Sequence, residues 1–287
     1  NTPYVREILD RISPYDSAHT IAIMKGAQIG ISVGVIENGV GYIIDRAPGN
    51  ILSLTGHSDL AVESIGKIDN MIDNAGLRHL IRSSIQRKKN QKTGDTNTEK
   101  EFPGGNLKSG SIGNHKMLRQ RSCKIGFADD FDAAKSGTKE SGSTKEMFEA
   151  RFNAYEDQKK IYYISTPELK ENSNIEPVYL LGDQRRYFVP CPCCGVYITL
   201  EWTIQIEGET YGITYQRDEE GKLVKDSVGY TCQECFEFFT DKHKYEMNLQ
   251  GEWRATATPS EPGYYSYHIS SLYAAPGMKD WENYEIY

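Results

Sequence analysis

The sequence contains no run of about 18 apolar residues, the length needed to cross a membrane as a helix. Its start, Asn1-Thr2-Pro3-Tyr4, is neither a signal peptide nor a transit peptide. A soluble, intracellular protein with no membrane partner is therefore expected. Excess positive charge is also missing: 33 Lys and Arg against 40 Asp and Glu give a formal charge of −7. That balance excludes a uniformly basic nucleic-acid coat, although a local patch or cleft can still hold DNA on an acidic protein. Disulfides are not called for either. Of the six cysteines, four fall in two C-x-x-C pairs, and without a secretory signal this spacing favours metal ligation in a reducing compartment. At 287 residues the chain suits one large domain, or a core domain with a smaller insert.

What the sequence does contain is organised around Ile21 to Gly34, IAIMKGAQIGISVG, an apolar run that breaks into a small glycine-bearing loop and turns apolar again. Lys25, Gly26, Ala27, Gln28, Ile29, Gly30, Ile31 and Ser32 follow a strand-like segment and precede a helix start, so their backbone N–H groups would converge on an anion. The two glycines admit close backbone approach, Lys25 supplies a cation and Ser32 a hydroxyl able to ligate Mg²⁺. The pattern G-x-x-x-x-G-K-[ST] is not met, because Ile31 stands where the lysine belongs and no glycine opens the loop. Lys25 can reach back over the phosphates from the other end. The competing reading is an ordinary strand-turn-helix with a surface lysine. Just upstream, Thr2 to Asp10 reads as a short helix with Val5, Ile8 and Leu9 on one face. Its Tyr4 and Arg6 can sandwich an adenine, or the helix can simply pack on the core.

Beyond the loop, Val33 to Ile44 reads as a helix weakened by glycines, Ile51 to Thr55 as a buried strand, and Asp59 to Asn70 and Met71 to Ser84 as helical stretches. A basic run with Arg87, Lys88, Lys89 and Lys92 reads as a solvated loop or hairpin. Lys124 to Asp132 is an apolar strand ending in paired carboxylates, which suits a phosphate-loop ATPase: Asp129 as the Mg²⁺-side acid and Asp130 as the acid that orients or deprotonates water. Lys159 to Pro167 is a further β-rich run, whose tip, Ser165-Thr166-Pro167, can sense the γ-phosphate or can merely end in a turn. The three motifs occur in an order that places them at one sheet edge, where ligands of open α/β sheets bind.

Cys191-Pro192-Cys193-Cys194 and Cys232-Gln233-Glu234-Cys235 flank a polar, β-rich excursion. Four thiolates, Cys191, Cys194, Cys232 and Cys235, can close a tetrahedral Zn²⁺ site, and a small β insert with little apolar core needs such a staple. A thioredoxin-like dithiol would want a single pair at a helix start. Cys193 is a spare thiol. Afterwards Gly263 to Tyr273 alternates as a strand that rejoins the main sheet and closes on Ala274-Ala275-Pro276-Gly277, with His268 expected as a core or edge residue.

Read together, MKGAQIGIS, FADDFD, YYISTP, CPCCG, CQEC and YHISSLYAAPG resemble, in composition and order, the large terminase subunit of lambda-type tailed bacteriophages. The resemblance implies an α/β P-loop NTPase (RecA-like) fold, a mostly parallel sheet flanked by helices with a small β-rich zinc-binding insert. It implies ATP, Mg²⁺ and structural Zn²⁺ as cofactors. Its partners would be double-stranded DNA, the small terminase subunit and the portal protein of the procapsid, with a homo-oligomeric ring as the active form in the host cell cytoplasm. Lys25, Gly30 and Ser32 carry over as phosphate and Mg²⁺ contacts, Asp129 as the Mg²⁺-side acid, and Ser165, Thr166 and Pro167 as the coupling segment. The expected division is an ATPase core over 1–187, a zinc-ribbon-like insert over 188–258, and a return strand with the start of a linker over 259–287. The chain stops at Tyr287, before the family's nuclease domain could fit. Departures are Ile31, where many members have lysine, Asp130, where most have the longer glutamate, and Gln28, where some motors place an arginine. These leave a second expectation, a zinc-stabilised nucleic-acid-binding or assembly module with a degenerate, non-hydrolysing nucleotide site.

Overall fold

The computed structural model describes residues 2–88, 91–114, 117–119, 122–134, 143–156, 158–167, 173–275, 278 and 280–281. In chain order the elements begin with helix α1 (Val5–Asp10), strand β1 (Thr20–Lys25), a π-helical turn Val33–Glu37 running into α2 (Asn38–Asp45), β2 (Ile51–Thr55) and α3 (Ser58–Asn74). There follow β3 (Ile85–Lys88), β4 (Gln91–Thr93), β5 (Glu99–Phe102), β6 (Gly105–Ser111), β7 (Ile125–Asp129), α4 (Thr144–Glu149), β8 (Lys160–Ser165) and α5 (Ile175–Leu180). The last third holds β9 (Arg185–Pro190), β10 (Tyr197–Ile198), β11 (Thr203–Ile206), β12 (Glu209–Arg217), β13 (Leu223–Thr231), β14 (Phe238–Phe239), α6 (Lys244–Leu249), β15 (Glu252–Arg254) and β16 (Tyr264–Ile269).

One ten-stranded sheet organises the chain in the order β10-β9-β16-β1-β8-β7-β2-β6-β5, with β15 also on β9. From β9 to β6 every pairing is parallel, and antiparallel strands occur only at the two margins. β1 lies in the interior, with Ile21 opposite both Tyr162 of β8 and Tyr265 of β16. A strand covered on both faces needs apolar side chains in both directions, which explains the unbroken run IAIM. Ile21 and Ile23 enter one apolar cluster with α1, α2 and α3, whereas Ala22 enters a second one with Phe148 of α4 and Ile175 and Val178 of α5. The fold is thus a helix-flanked, mostly parallel α/β sheet.

Two local expectations are revised. The separate helical stretches before and after Asn70 form a single helix, α3, which ends well short of Ser84. Gly76 stops it in the left-handed conformation (φ 70°), with Leu77 N–H bonded to the Ile72 carbonyl at 2.9 Å and Gly76 N–H to that of Asp73 at 3.1 Å, a Schellman closure. Val33 to Ile44 is not one regular helix either, since its first turn is π-helical. The basic run falls on the β3–β4 hairpin, while Lys89, Pro276 and Gly277 lie outside the described residues.

The cysteine-bearing segment forms its own four-stranded antiparallel sheet, β11-β12-β13-β14, entered from β9 and β10 and left through α6 and β15. Its inner face is not isolated. Ile213, Val228, Tyr230 and Phe239 belong to the same buried cluster as Tyr4 at the start of α1 and Ile21 and Tyr187 of the main sheet. Trp281 packs at a tilt against Tyr230 and Phe239, with ring centroids 5.9 and 6.1 Å apart.

Candidate nucleotide site and cysteine centre

Parallel strands that share an edge bring their C-terminal tips together, and here those tips carry Lys25 (β1), Thr55 (β2), Asp129 (β7) and Ser165 (β8). Between Lys25 and the first helical turn the chain bends through two left-handed residues, Gln28 (φ 56°) and Gly30 (φ 75°). Ile29 and Ile31 are buried and pin the loop to the core, while Ala27 and Gln28 are exposed. The burial of Ile31 settles what its position can offer: no cation, only a backbone N–H. The one lysine of the loop, Lys25, donates from Nζ to Thr166 Oγ1 at 3.3 Å, bridging the β1 and β8 tips.

Across the loop's far end, Ser32 Oγ donates to Asp129 Oδ1 at 2.9 Å. Asp129 is half-buried at the strand tip, and its carboxyl is raised above the usual range chiefly by desolvation, against the pull of the Ser32 hydroxyl and the Lys25 charge. An ionised carboxylate there gains from a nearby cation. Asp130 follows in the left-handed region (φ 55°), and its carboxylate lies against Gly56, where a Cβ would sit 2.7 Å from Oδ2. Ser32, Asp129, Asp130 and Thr55 line a cleft of about 110 Å³.

Some predicted residues are placed differently. The Tyr4 ring is fully buried and its Oη donates to the Ile29 carbonyl at 2.7 Å, so it buttresses the loop from beneath. Arg6 is exposed on α1, whereas the buried Tyr4 ring has no open face to offer an adenine. Ser165 is buried, whereas Thr166 and Pro167 are exposed. Sequence reasoning missed Glu37, Glu63 and Lys67 on the same cleft. Lys67 bonds Glu63 at 2.7 Å, and its ammonium is held charged first by that hydrogen bond and further by the Glu37 and Asp129 charges. Glu63 and Lys67, four residues apart on a helix, look like an ordinary surface pair, so no sequence signal marked them. Ser271 was missed as well: it donates from Oγ to the Ala27 carbonyl at 3.2 Å, beside the Gly26 N–H bond to the Ile269 carbonyl at 2.8 Å.

The sulfurs of Cys191, Cys194, Cys232 and Cys235 lie within 4.8 Å of one another, with Cys191 Sγ 3.9 Å from Cys235 Sγ. Four Zn–S bonds of about 2.3 Å make a tetrahedron with edges of about 3.8 Å, so the donor set fits a closed zinc centre. The two knuckles match each other. Gly195 N–H reaches the Cys191 carbonyl at 2.8 Å and Phe236 N–H that of Cys232 at 3.0 Å. The Cys193 and Glu234 amides each lie 3.4 Å from the sulfur two residues back. Both chains then turn left-handed, at Gly195 (φ 74°) and Phe236 (φ 64°). Cys193 is exposed and stands outside the cluster.

No curated protein matches the chain. Among solved structures, the large terminase ATPase domain of Thermus phage P74-26 is similar with a TM-score of 0.49 at 11% identity, over 93% of this chain and 80% of that one. The large terminase of another thermophilic bacteriophage gives a TM-score of 0.40 at 12% identity over 57% of this chain, and the match spans 38% of that protein's length. Residues 1–253 match the family described as "Phage terminase large subunit gpA, ATPase domain". With that much of its length matched, the chain belongs to the family of phage terminase large subunit ATPase domains.

Proposed function

We propose that the chain is the ATP-hydrolysing motor portion of a terminase large subunit and drives double-stranded DNA into the procapsid. The observation that carries this reading is the 2.9 Å bond between Ser32 Oγ and Asp129 Oδ1, which sets a hydroxyl and a partly buried carboxylate face to face at the end of the phosphate loop. These two residues would hold Mg²⁺, which when bound offsets charge on the phosphoryl oxygens. Lys25 and the backbone amides of Gly26 to Ile31 bind the phosphates. Asp130 orients the attacking water and accepts its proton. Lys25, bonded to Thr166, lets the Ser165-Thr166-Pro167 tip follow whether the phosphates are present.

On this reading the ATPase core is 1–187, the zinc-binding insert 188–258, and 259–287 the return strand and the start of a linker. Zn²⁺ held by Cys191, Cys194, Cys232 and Cys235 has no open coordination position and serves structure, not catalysis. A small terminase subunit and the portal are the partners, a ring of identical subunits the working form, and the host cytoplasm the place of action. The test is steady-state ATP hydrolysis by the purified chain, with and without double-stranded DNA, beside Lys25→Ala. The expected result is Mg²⁺-dependent turnover that DNA stimulates and Lys25→Ala abolishes. Nucleotide binding without turnover under every condition would favour a zinc-stabilised module with a non-hydrolysing site.

A further inference from the structure

Asp132, in the turn that follows β7, has no role in the hydrolysis just described, yet it is buried at 6% exposure. Its Oδ1 accepts two backbone N–H bonds, from Asn174 at 3.1 Å and Ile175 at 2.7 Å. Its own N–H donates to Ser165 Oγ at 3.0 Å. The Asn174 side chain completes the junction by donating to the Asp132 carbonyl at 3.2 Å and the Ala134 carbonyl at 2.8 Å. One residue therefore joins the turn after β7, the tip of β8 and the first residues of α5. We propose that Asp132 is a positioning residue, holding the Asp130 turn and the Ser165 strand tip as one unit and tying both to α5. The proposal rests on the hydrolytic reading above.

The turn that Asp132 closes is one the backbone would not adopt freely. Asp130 is left-handed without being glycine, a conformation that persists only where surrounding contacts fix it. The Ala133 N–H bond to the Asp130 carbonyl at 3.0 Å closes the turn, and the Phe131 ring packs on Tyr163 of β8 with centroids 4.8 Å apart. Asp132 adds the polar half of that attachment. On the other side, Ser165 Oγ donates to the Thr166 carbonyl at 3.2 Å, and Thr166 receives the Lys25 ammonium. Hydrogen bonds thus run without a gap from Lys25 through Thr166, Ser165 and Asp132 to α5. That helix lies on β1, β8 and β16 and leads directly into β9, the strand that enters the cysteine insert. A shift at the phosphate end has a defined route to that insert, and the same route keeps Asp130 aimed.

The role needs an oxygen acceptor, not a charge, so Asp132→Asn and Asp132→Ala should differ. Asp132→Ala should lower kcat for ATP by about tenfold or more with KM within about threefold, since a misplaced catalytic group costs turnover before binding. Asp132→Asn, which keeps Oδ1, should stay within about threefold of the parent in both constants. Parental kcat in Asp132→Ala would overturn the proposal, and so would Asp132→Asn as impaired as the alanine variant, because that result assigns the charge a different job. Should Asp132→Ala fail to fold, Ser165→Ala removes the acceptor of the Asp132 N–H and should show the same kcat loss without a KM change; no loss overturns the proposal. A parent without turnover, DNA present or absent, refutes the hydrolytic reading alone. Amide hydrogen exchange then decides for Asp132: it should accelerate at Ile175 and at 130–133 in Asp132→Ala but not in Asp132→Asn, and unchanged exchange overturns the proposal.

Discussion

Ser271 donates its hydroxyl to the carbonyl of Ala27 at 3.2 Å, so the segment that follows the return strand grips the glycine-bearing loop after β1 directly. The same short turn is held from its other side. Tyr273 Oη accepts from Leu200 N–H at 2.6 Å and donates to the Tyr187 carbonyl at 2.7 Å, and Trp281 Nε1 donates to the Leu272 carbonyl at 3.0 Å. The loop is therefore supported by a residue 244 positions away, and its glycine has a steric reason. A Cβ at Gly26 would lie 2.3 Å from the Ser271 backbone nitrogen.

Gly26→Ala must push either the loop or the Ser271 turn aside, and nucleotide affinity is expected to fall by about tenfold or more. Ser271→Ala loses one neutral hydrogen bond, worth about 1 kcal/mol, and should weaken affinity about fivefold. Calorimetric titration with Mg-ATP at fixed temperature separates the two, and equal affinity of Gly26→Ala and parent would show that the loop does not contact the phosphates.

The cysteine centre makes a compositional prediction. Protein purified without chelator should carry one zinc per chain by elemental analysis, with Cys193→Ser leaving that content unchanged and Cys232→Ser removing it. Because Tyr230 and Phe239 of the insert pack on Trp281 and share a cluster with the main sheet, metal loss should lower the melting temperature of the whole chain, by about 2 °C for each ~1 kcal/mol lost. A melting curve indifferent to Cys232→Ser would mean that the insert folds apart from the core.

The strands are legible in the sequence where burial on both faces forces unbroken apolar runs, as in Ile21 to Met24 and Ile161 to Ile164. The paired cysteines are legible because ligand spacing is local chemistry. Tyr4 beneath Ile29 and Ser271 against Ala27 are not, since contacts across 25 and 244 positions leave no periodic trace. The end of α3 is hidden because Gly76, which closes it, sits inside a stretch whose apolar spacing continues past the closure. Lys67 and Glu63 read as surface residues because nothing in a helix's own sequence says that it flanks a cleft.

His268 offers a pH test independent of catalysis. Burial first, and the Arg186 charge second, push its imidazole down to about 4 from an ordinary value of 6.5. The folded-state value is the depressed one, so this residue's contribution to stability is full above pH 6.5 and is lost as pH falls through about 4. The loss over that window is on the order of 3 kcal/mol. Urea midpoints from pH 7 to pH 4 should fall more steeply in the parent than in His268→Gln. Parallel profiles would place the titration elsewhere.

The two acids at the end of β7, Asp129 and Asp130, should separate by what they lose. Asp129 is half-buried and shares a hydrogen bond with Ser32; if it holds Mg²⁺ as proposed, Asp129→Ala should weaken Mg²⁺-dependent nucleotide binding. Asp130 lies across the cleft against Gly56, which suits a carboxylate whose main effect is in the transition state. Asp130→Asn should leave ATP bound with near-parental affinity while turnover falls about a hundredfold or more. Asp130→Glu tests reach. The longer side chain should keep or raise turnover only if it can extend into the cleft without striking Gly56, where the present carboxylate already leaves no room for a Cβ. Steady-state hydrolysis and nucleotide affinity measured together on the three variants give the comparison, and parental turnover in Asp130→Asn would remove Asp130 from the chemistry and turn attention to Glu37 and Glu63, the other carboxylates on that wall.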